Sequence, residues 1–194
     1  MPRITAPTVA EHRARQHTAL MKAAREILLA GGPAAVTPTA VGARAGLARS
    51  SVYKYFSATA DILAELVEDI FTVWTERVRR ATAAEPDPAA RVAVYVRTYL
   101  EFAQSNDRRI GYAASAGLPP ERLEHVMELH RRFNAPLLQA LADRGDPDPE
   151  VTTELITGTL EGAIRLIDAD RPPEQVIAAT LSFLSAHKTP RALS

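Results

Sequence analysis

Apolar residues recur every three or four positions along almost the whole chain, and polar residues fill the faces between them. This spacing is typical of amphipathic α-helices, and no segment alternates as a half-buried strand does. The longest example is residues 59–83, where every fourth residue is apolar: Ile62, Leu66, Ile70, Trp74, Val78. The pattern therefore predicts an all-α protein.

Capping residues and prolines divide this pattern into separate helices. Thr8 and Glu11 have the spacing of a capping box for a first helix, which we expect to run to about Ala30. Pro136 predicts a kink or a split in its helix. The other helices expected are residues 59–83, a fifth capped by Asp87, two near 108–116 and 120–143, one from Asp148 to about Asp168, and a last one from Pro172-Pro173 to about His187.

The segment from Thr37 to Phe56 has the features of a helix-turn-helix. Thr37 is a suitable cap for a short helix, and Pro38 at the first helical position loses only an N–H group that would be unpaired there. Gly46 can adopt the left-handed conformation that ends a helix and turns the chain. We expect Val41 and Ala45 to face inward, because they lie four residues apart.

A second short helix follows this turn. Val52 and Phe56 are four residues apart and are expected to face the core. The residues left for the outer surface are Arg49, Ser50, Ser51, Tyr53, Lys54 and Tyr55. Hydroxyl groups and cations of this kind bind phosphates and the edges of bases. The segment therefore predicts contact with DNA.

From about Arg13 to about Leu66 the chain resembles the TetR family of bacterial transcriptional regulators. The resemblance depends on the amphipathic Leu20, Ala24, Ile27, Leu28, the Gly31-Gly32 stop, the Thr37-Pro-Thr39 entry, the Ala45-Gly46-Leu47 turn and the run Val52-Tyr53-Lys54-Tyr55-Phe56. It implies about nine helices, with a helix-turn-helix domain over residues 1–58 and a larger ligand-binding and dimerisation domain over 59–194. It also implies a homodimer, a palindromic double-stranded operator and a small-molecule effector. The DNA-binding residues expected are Thr37, Thr39, Arg49, Ser50, Ser51, Tyr53, Lys54, Tyr55 and Thr59.

Three places depart from the family pattern. Ala48 stands where a capping Ser is usual, Ser50 replaces a Gly, and Ala58-Thr59-Ala60 replaces a Ser-Lys-Glu run. Ala in place of a capping Ser costs a typical helix roughly 0.5 to 2 kcal/mol. Thr59 lacks the charge that Lys would offer a phosphate. We therefore expect weaker DNA binding than is usual in the family, or a larger share carried by Arg49 and Lys54.

The penultimate helix has an apolar side with two glycines four residues apart, Gly158 and Gly162. Each costs a helix up to about 1 kcal/mol relative to Ala, and each lets another backbone approach closely. Since the last two helices of the family pair with those of a second copy, the dimer interface expected is Leu155, Gly158, Thr159, Gly162, Leu181 and Leu184. The alternative is a contact within the same domain.

Aromatic residues concentrate in the region where the family binds its effector. The candidate pocket residues are Phe71, Trp74, Tyr95, Tyr99, Phe102, Tyr112, Met127, His130 and Phe133. Aromatic rings with a few polar tips suit an apolar or aromatic small molecule. The alternative is ordinary core packing, which is the usual role of aromatic residues at helical spacing.

Composition and charge restrict the other functions. The net charge is zero, but residues 1–60 carry eight Lys and Arg against two acidic residues. A basic amino-terminal end favours binding to DNA. The alternative is an uneven charge distribution that arose by chance. The chain has no Cys, which removes disulfides and thiolate metal sites and favours a reducing cytoplasm. No apolar run reaches the roughly 20 residues of a membrane span, and the amino terminus does not resemble a signal peptide.

Catalysis has little support in the sequence. The five histidines include no HExxH motif, and His125 and His130 are five residues apart, which does not suit a shared metal on a helix. No phosphate-binding loop or nucleophile elbow is present. We therefore expect no catalytic residue, no metal and no cofactor, and we interpret the chain as a DNA-binding repressor released by a small molecule. The alternatives are a regulator of this fold that answers to a protein or to no ligand, and a helical enzyme or structural bundle with a vestigial helix-turn-helix.

Overall fold

The computed structural model describes residues 9–186, which contain α-helices, two single turns of 3-10 helix and no strand. The nine helices of this range are α1 (Val9–Gly31), α2 (Pro38–Ala45), α3 (Arg49–Val52), α4 (Thr59–Ala83), α5 (Pro88–Ala103), α6 (Asn106–Ala116), α7 (Leu123–Asp143), α8 (Pro149–Asp168) and α9 (Pro173–Ala186). The all-α prediction is confirmed. Thr8 and His187 lie outside the described residues.

Side-chain caps explain the starts of α2, α5 and α8. The side chains of Thr37, Asp87 and Asp148 each accept a hydrogen bond from a backbone N–H in the first turn of the helix that follows. Of the kink or split predicted at Pro136, the split is wrong, since α7 passes through this residue, and the kink stays a prediction. Proline removes only one backbone hydrogen bond, and the buried Phe133 and Leu137 hold the helix on both sides of it.

The chain forms two compact units. The first comprises the residues up to Asp69 together with Arg109–Val126, so it contains α1, α2, α3 and the first half of α4. In this unit α1 packs on α2 and α2 packs on α3. Its core includes the fully buried Leu20, Ala24, Val41, Val52, Ile62 and Leu66.

The second unit comprises Ile70–Arg108 and the residues from Met127 onward. Here α5, α8 and α9 pack on one another. The apolar stripe predicted for α4 is confirmed in both units, because all five of its residues are buried. The predicted domain boundary between residues 58 and 59 remains a prediction.

Candidate functional site

Helices α2 and α3 approach closely because a glycine lies between them. An ideal Cβ built on Gly42 would lie 2.6 Å from Cγ2 of Val52 and 3.1 Å from the carbonyl oxygen of Leu47. Gly46, with φ of 69°, has the left-handed conformation that ends α2. Val52 and Phe56 are buried, as predicted. The two short helices therefore pack closely on each other.

Most of the predicted DNA-binding side chains lie on the outer surface of this pair. Thr39, Arg49, Ser50, Tyr53 and Lys54 are exposed, whereas Thr37 and Ser51 are half-buried. The Thr37 hydroxyl accepts the Ala40 N–H at 3.1 Å, so its own hydrogen remains available for a phosphate. These groups present hydroxyl donors and two cations on one surface.

Two of these side chains contact each other. Nη2 of Arg49 donates to the Tyr53 hydroxyl at 3.1 Å, and the guanidinium carbon lies 5.4 Å from the Tyr53 ring centroid. The two residues are one helical turn apart, which allows this contact. Arg49 is therefore held on the outer face of α3 rather than moving freely.

Tyr55 points toward α1 and is half-buried, unlike its neighbours. Its hydroxyl donates to Oε1 of Gln16 at 2.9 Å, and its ring lies 6.0 Å from that of His17. His17 in turn pairs with Glu65 on α4 at 2.5 Å. Tyr55 therefore fixes α3 against α1, and any contact it makes with DNA uses only the edge left exposed.

The departures from the family pattern have visible consequences. Ala48 occupies the cap position of α3 with extended backbone and makes no side-chain cap. Thr59 is the half-buried first residue of α4. The cap of α4 comes instead from Asp61, which accepts the backbone N–H groups of Ser57 and Ala58 at 3.1 Å each. The hydrogen bond from the Ser57 side chain is the main reason that the pKa of Asp61 is lowered.

The sequence interpretation missed Asp61, although its spacing is that of a capping box. It lies three residues after Ala58, where an acidic side chain reaches back to the cap N–H. Its other carboxylate oxygen pairs with Arg122 at 2.8 Å. That long-range pair has no local signal in the sequence.

Most of the predicted pocket residues form one packed cluster of rings in the second unit. Phe133 is at its centre, 6.0 Å from Phe71, 6.3 Å from Tyr95, 5.5 Å from Tyr99 and 5.8 Å from Phe102, measured between ring centroids. Trp74 contacts Phe102 at 5.0 Å and His130 contacts Phe71 at 4.6 Å. The rings are in mutual contact, as in an ordinary core.

Two candidates lie outside this cluster. Tyr112 is 77% exposed and Met127 is 61% exposed, so neither is buried among the rings. Within the cluster, burial raises the pKa of Tyr95 and raises that of Tyr99 to about 12, with a smaller effect of Glu161 on Tyr99. Both phenols therefore stay protonated near neutral pH. The Tyr95 hydroxyl donates to Oδ1 of Asn134 at 2.7 Å.

A groove of about 580 Å³ opens elsewhere in the second unit. Its lining combines apolar residues with hydroxyl, amide and guanidinium groups: Thr75, Arg79, Thr82, Ala83, Arg91, Arg132, Ala135, Pro136, Gln139, Ala140. The three arginines already pair with Glu76, Asp143 and Glu128. None of the predicted pocket residues lines this groove.

The predicted dimer residues of α8 lie on an open face. Leu155 is 68% exposed, and an ideal Cβ on Gly158 would have no described atom within 4 Å. The same test on Gly162 finds only Nη2 of Arg165 at 3.6 Å. Thr159, Leu181 and Leu184 are half-buried. Leu155, Thr159 and Leu184 also border a cavity of about 390 Å³ with Phe183. Within the described residues, a Cβ on Gly158 would meet no other atom, and one on Gly162 would meet only the end of the Arg165 side chain.

Between residues 9 and 186, no group of three or more His, Asp or Glu side chains is placed to hold a metal ion. No helix of this range has the length and apolarity needed to cross a membrane.

Residues 20–66 match the family model of bacterial regulatory proteins of the tetR family. No significant match exists among curated proteins. Among solved structures, the fatty acid degradation regulator FadR from Bacillus halodurans has a TM-score of 0.74 and 16% identity, covering 91% of this chain and 97% of that one. FadR from Bacillus subtilis in complex with stearoyl-CoA has a TM-score of 0.72 and 17% identity, covering 87% and 96%.

A TetR/AcrR regulator from Thermobifida fusca is also similar, with a TM-score of 0.68 and 21% identity over 91% of this chain and all of that one. These TM-scores show a shared fold. The family model separately matches the segment that contains α2 and α3. The chain therefore has the amino-terminal helix-turn-helix domain of the tetR family and the all-helical fold of its transcriptional regulators.

Proposed function

We propose that this chain is a homodimeric repressor that binds a palindromic operator and leaves it when an apolar or aromatic small molecule binds. The observation that carries the proposal is the outer face of α2 and α3, where Thr39, Arg49, Ser50, Tyr53 and Lys54 are exposed together. A recognition helix of this kind enters the major groove, with flanking groups on phosphates. Such a repressor acts in the cytoplasm, on the DNA beside its target genes.

Dimerisation is supported by the open face of α8. Operators of this class consist of two half-sites about one helical turn apart, so two recognition helices must be linked. The exposed Leu155 and the uncovered Gly158 offer a second copy an apolar surface without steric obstruction.

Support for effector control comes from a solved structure of the same fold. The FadR of Bacillus subtilis was solved with stearoyl-CoA, so one protein of this fold binds an acyl ligand. In this chain the rings around Phe133 are packed together, and a ligand there must displace them. That packing favours a second candidate, a regulator of the same fold that answers to a protein partner or to no ligand.

A gel shift against the DNA upstream of the chain's own coding sequence tests the proposal. We expect a specific complex that is competed by unlabelled upstream duplex and survives an excess of scrambled duplex. Dissociation by an apolar compound supports the repressor with an effector, and a complex that no compound dissociates supports the second candidate. Failure to bind upstream DNA and random duplex pools alike would refute DNA-dependent regulation.

A further inference from the structure

The contact between Arg49 and Tyr53 leaves part of the guanidinium free. An arginine has two edges with paired N–H donors: Nε with Nη2, and Nη1 with Nη2. Tyr53 accepts from Nη2 at 3.1 Å and so occupies one of its two hydrogens. Whichever hydrogen is used, the other edge keeps both of its donors. No other hydrogen bond of Arg49 is seen within residues 9–186.

This free edge matches one base in the major groove. Guanine presents O6 and N7 side by side as two acceptors, and a bidentate arginine is their most frequent partner. Adenine places a donor beside N7, so it repels one of the two N–H groups. Arg49 is the first residue of α3, and residues at the amino-terminal end of a recognition helix are those that reach base edges.

Tyr53 also reduces the entropic cost of this contact. An exposed arginine loses much of its rotamer freedom when it is fixed. Here the hydroxyl and the ring face of Tyr53 already restrict the guanidinium before DNA arrives. A pre-organised donor pair gains specificity because less freedom is lost on binding.

We propose, on the basis of the proposed DNA-binding function, that Arg49 reads one guanine in each operator half-site and that Tyr53 positions it. Arg49 uses its free donor edge on O6 and N7 of the base. Tyr53 holds the guanidinium through its hydroxyl and ring, and its own role is not a phosphate contact. The partner is therefore a duplex with a guanine at a fixed place in each half-site.

The probe is 7-deazaguanine, which lacks only the N7 acceptor. It is substituted for each guanine of the bound duplex in turn, and affinity is measured by gel shift. For the native chain we expect one guanine per half-site to lose roughly 5- to 150-fold in affinity, the discrimination of a bidentate contact. The other positions should change little.

Three variants assign this effect to its residues. Arg49→Lys keeps the charge but lacks the paired donors, so the loss caused by 7-deazaguanine should disappear. Tyr53→Phe keeps the ring and removes the hydroxyl, so that loss should shrink by about threefold or more. Lys54→Ala is the matched control, and it should weaken binding to all duplexes equally while the 7-deazaguanine effect stays at its native size.

Several outcomes would overturn the proposal. If no guanine is sensitive, or if Arg49→Lys weakens all duplexes alike, Arg49 contacts phosphate instead. If Tyr53→Phe preserves the native discrimination, Tyr53 does not position Arg49. These results leave the DNA-binding function intact, whereas a native chain that binds no duplex removes that function and this proposal together.

Discussion

The indole Nε1–H of Trp74 donates a hydrogen bond to Oδ2 of Asp107, with 2.9 Å between the two atoms. The guanidinium carbon of Arg77 lies 4.6 Å from the indole centroid, and the Phe102 ring lies 5.0 Å away. Trp74 is held on several sides, and its helix α4 also supplies residues 59–69 of the first unit. Its fluorescence therefore reports on α4, the helix whose first residues belong to the first unit.

We predict that an apolar or aromatic ligand which enters the ring cluster quenches Trp74 and lowers operator affinity together. The coupling should be about 1 to 3 kcal/mol, and DNA must weaken ligand binding by the same factor. Fluorescence titrations with and without operator measure this reciprocity. Trp74→Phe should remove the signal and keep much of the coupling, whereas Trp74→Ala should reduce the coupling itself.

The same titrations can contradict the prediction. Ligands that quench Trp74 while operator affinity stays unchanged would make α4 a passive spacer. A ligand has to bind the two states differently in order to shift them, so tight binding alone is not support.

Gly42→Ala should destabilise the helix-turn-helix. The added methyl would meet Val52 at 2.6 Å and the backbone oxygen of Leu47 at 3.1 Å, so α2 and α3 must separate. Overpacking of this kind costs about 1 to 3 kcal/mol. Chemical denaturation should show that loss, and gel shifts should show weaker operator binding. The control is Ala43→Ser, a small change at an exposed position of the same helix, and equal stability of the two variants would contradict the prediction.

Asp61 should make the protein acid-sensitive. Its pKa is lowered in the folded state, chiefly by the hydrogen bond from Ser57, so its stabilisation is present above the unfolded pKa of about 3.9 and is lost as pH falls below it. Asp61→Asn should lower the free energy of unfolding at pH 7 and flatten its decline toward about pH 3. Asp69→Asn, on the same helix outside this cap, is the control. A decline as steep in Asp61→Asn as in the native chain would assign the acid sensitivity elsewhere.

Lys54→Ala should weaken operator binding about equally for all sequences. The exposed Lys54 is placed to contact phosphate, and removal of one such contact lowers the salt slope of binding by about 1. Gel shifts over a series of salt concentrations measure the slope. Unchanged binding at every salt concentration would mean that α3 does not lie along the groove as proposed.

Much of the first unit could be predicted from local sequence chemistry. The cap at Thr37, the left-handed Gly46 and the burial of Val52 each depend on residues within about one or two turns, and all three are confirmed. Tyr55 was harder, because its partner Gln16 is 39 residues away. The sequence pattern predicts Tyr55 on the outer surface, whereas in the structure its side chain packs against α1.

Long-range packing also separates the aromatic residues. Both Tyr112 and Phe133 lie on predicted helices, but Phe133 is 2% exposed and Tyr112 is 77% exposed. Which aromatic residue joins the cluster depends on how α4, α5 and α7 meet, and no single helix carries that information. The spacing of α8 alone places Gly158 and Gly162 on one side of that helix, but it does not show whether the same chain or a second copy covers them.

The open face of α8 supports a direct test of assembly. Gly158→Leu and Gly162→Leu add a large side chain at positions where a Cβ would meet at most the flexible end of Arg165 in the same chain. Each protomer should therefore keep its fold, while a second copy can no longer approach. Light scattering should give about twice 21.1 kDa for the native chain and a monomer or an aggregate for the variants.

A matched substitution separates assembly from general surface effects. Ala89→Leu adds an apolar side chain at an exposed position in the first turn of α5, away from the two glycines in the sequence, and should leave the dimer intact. Thermal unfolding at low protein concentration checks that the glycine variants still fold. A native monomer that binds a palindrome tightly would contradict the interface, because half-sites about one turn apart need two linked recognition helices. Loss of cooperative operator binding in Gly158→Leu, with each half-site still bound weakly, would connect the apolar face of α8 to the spacing of the operator.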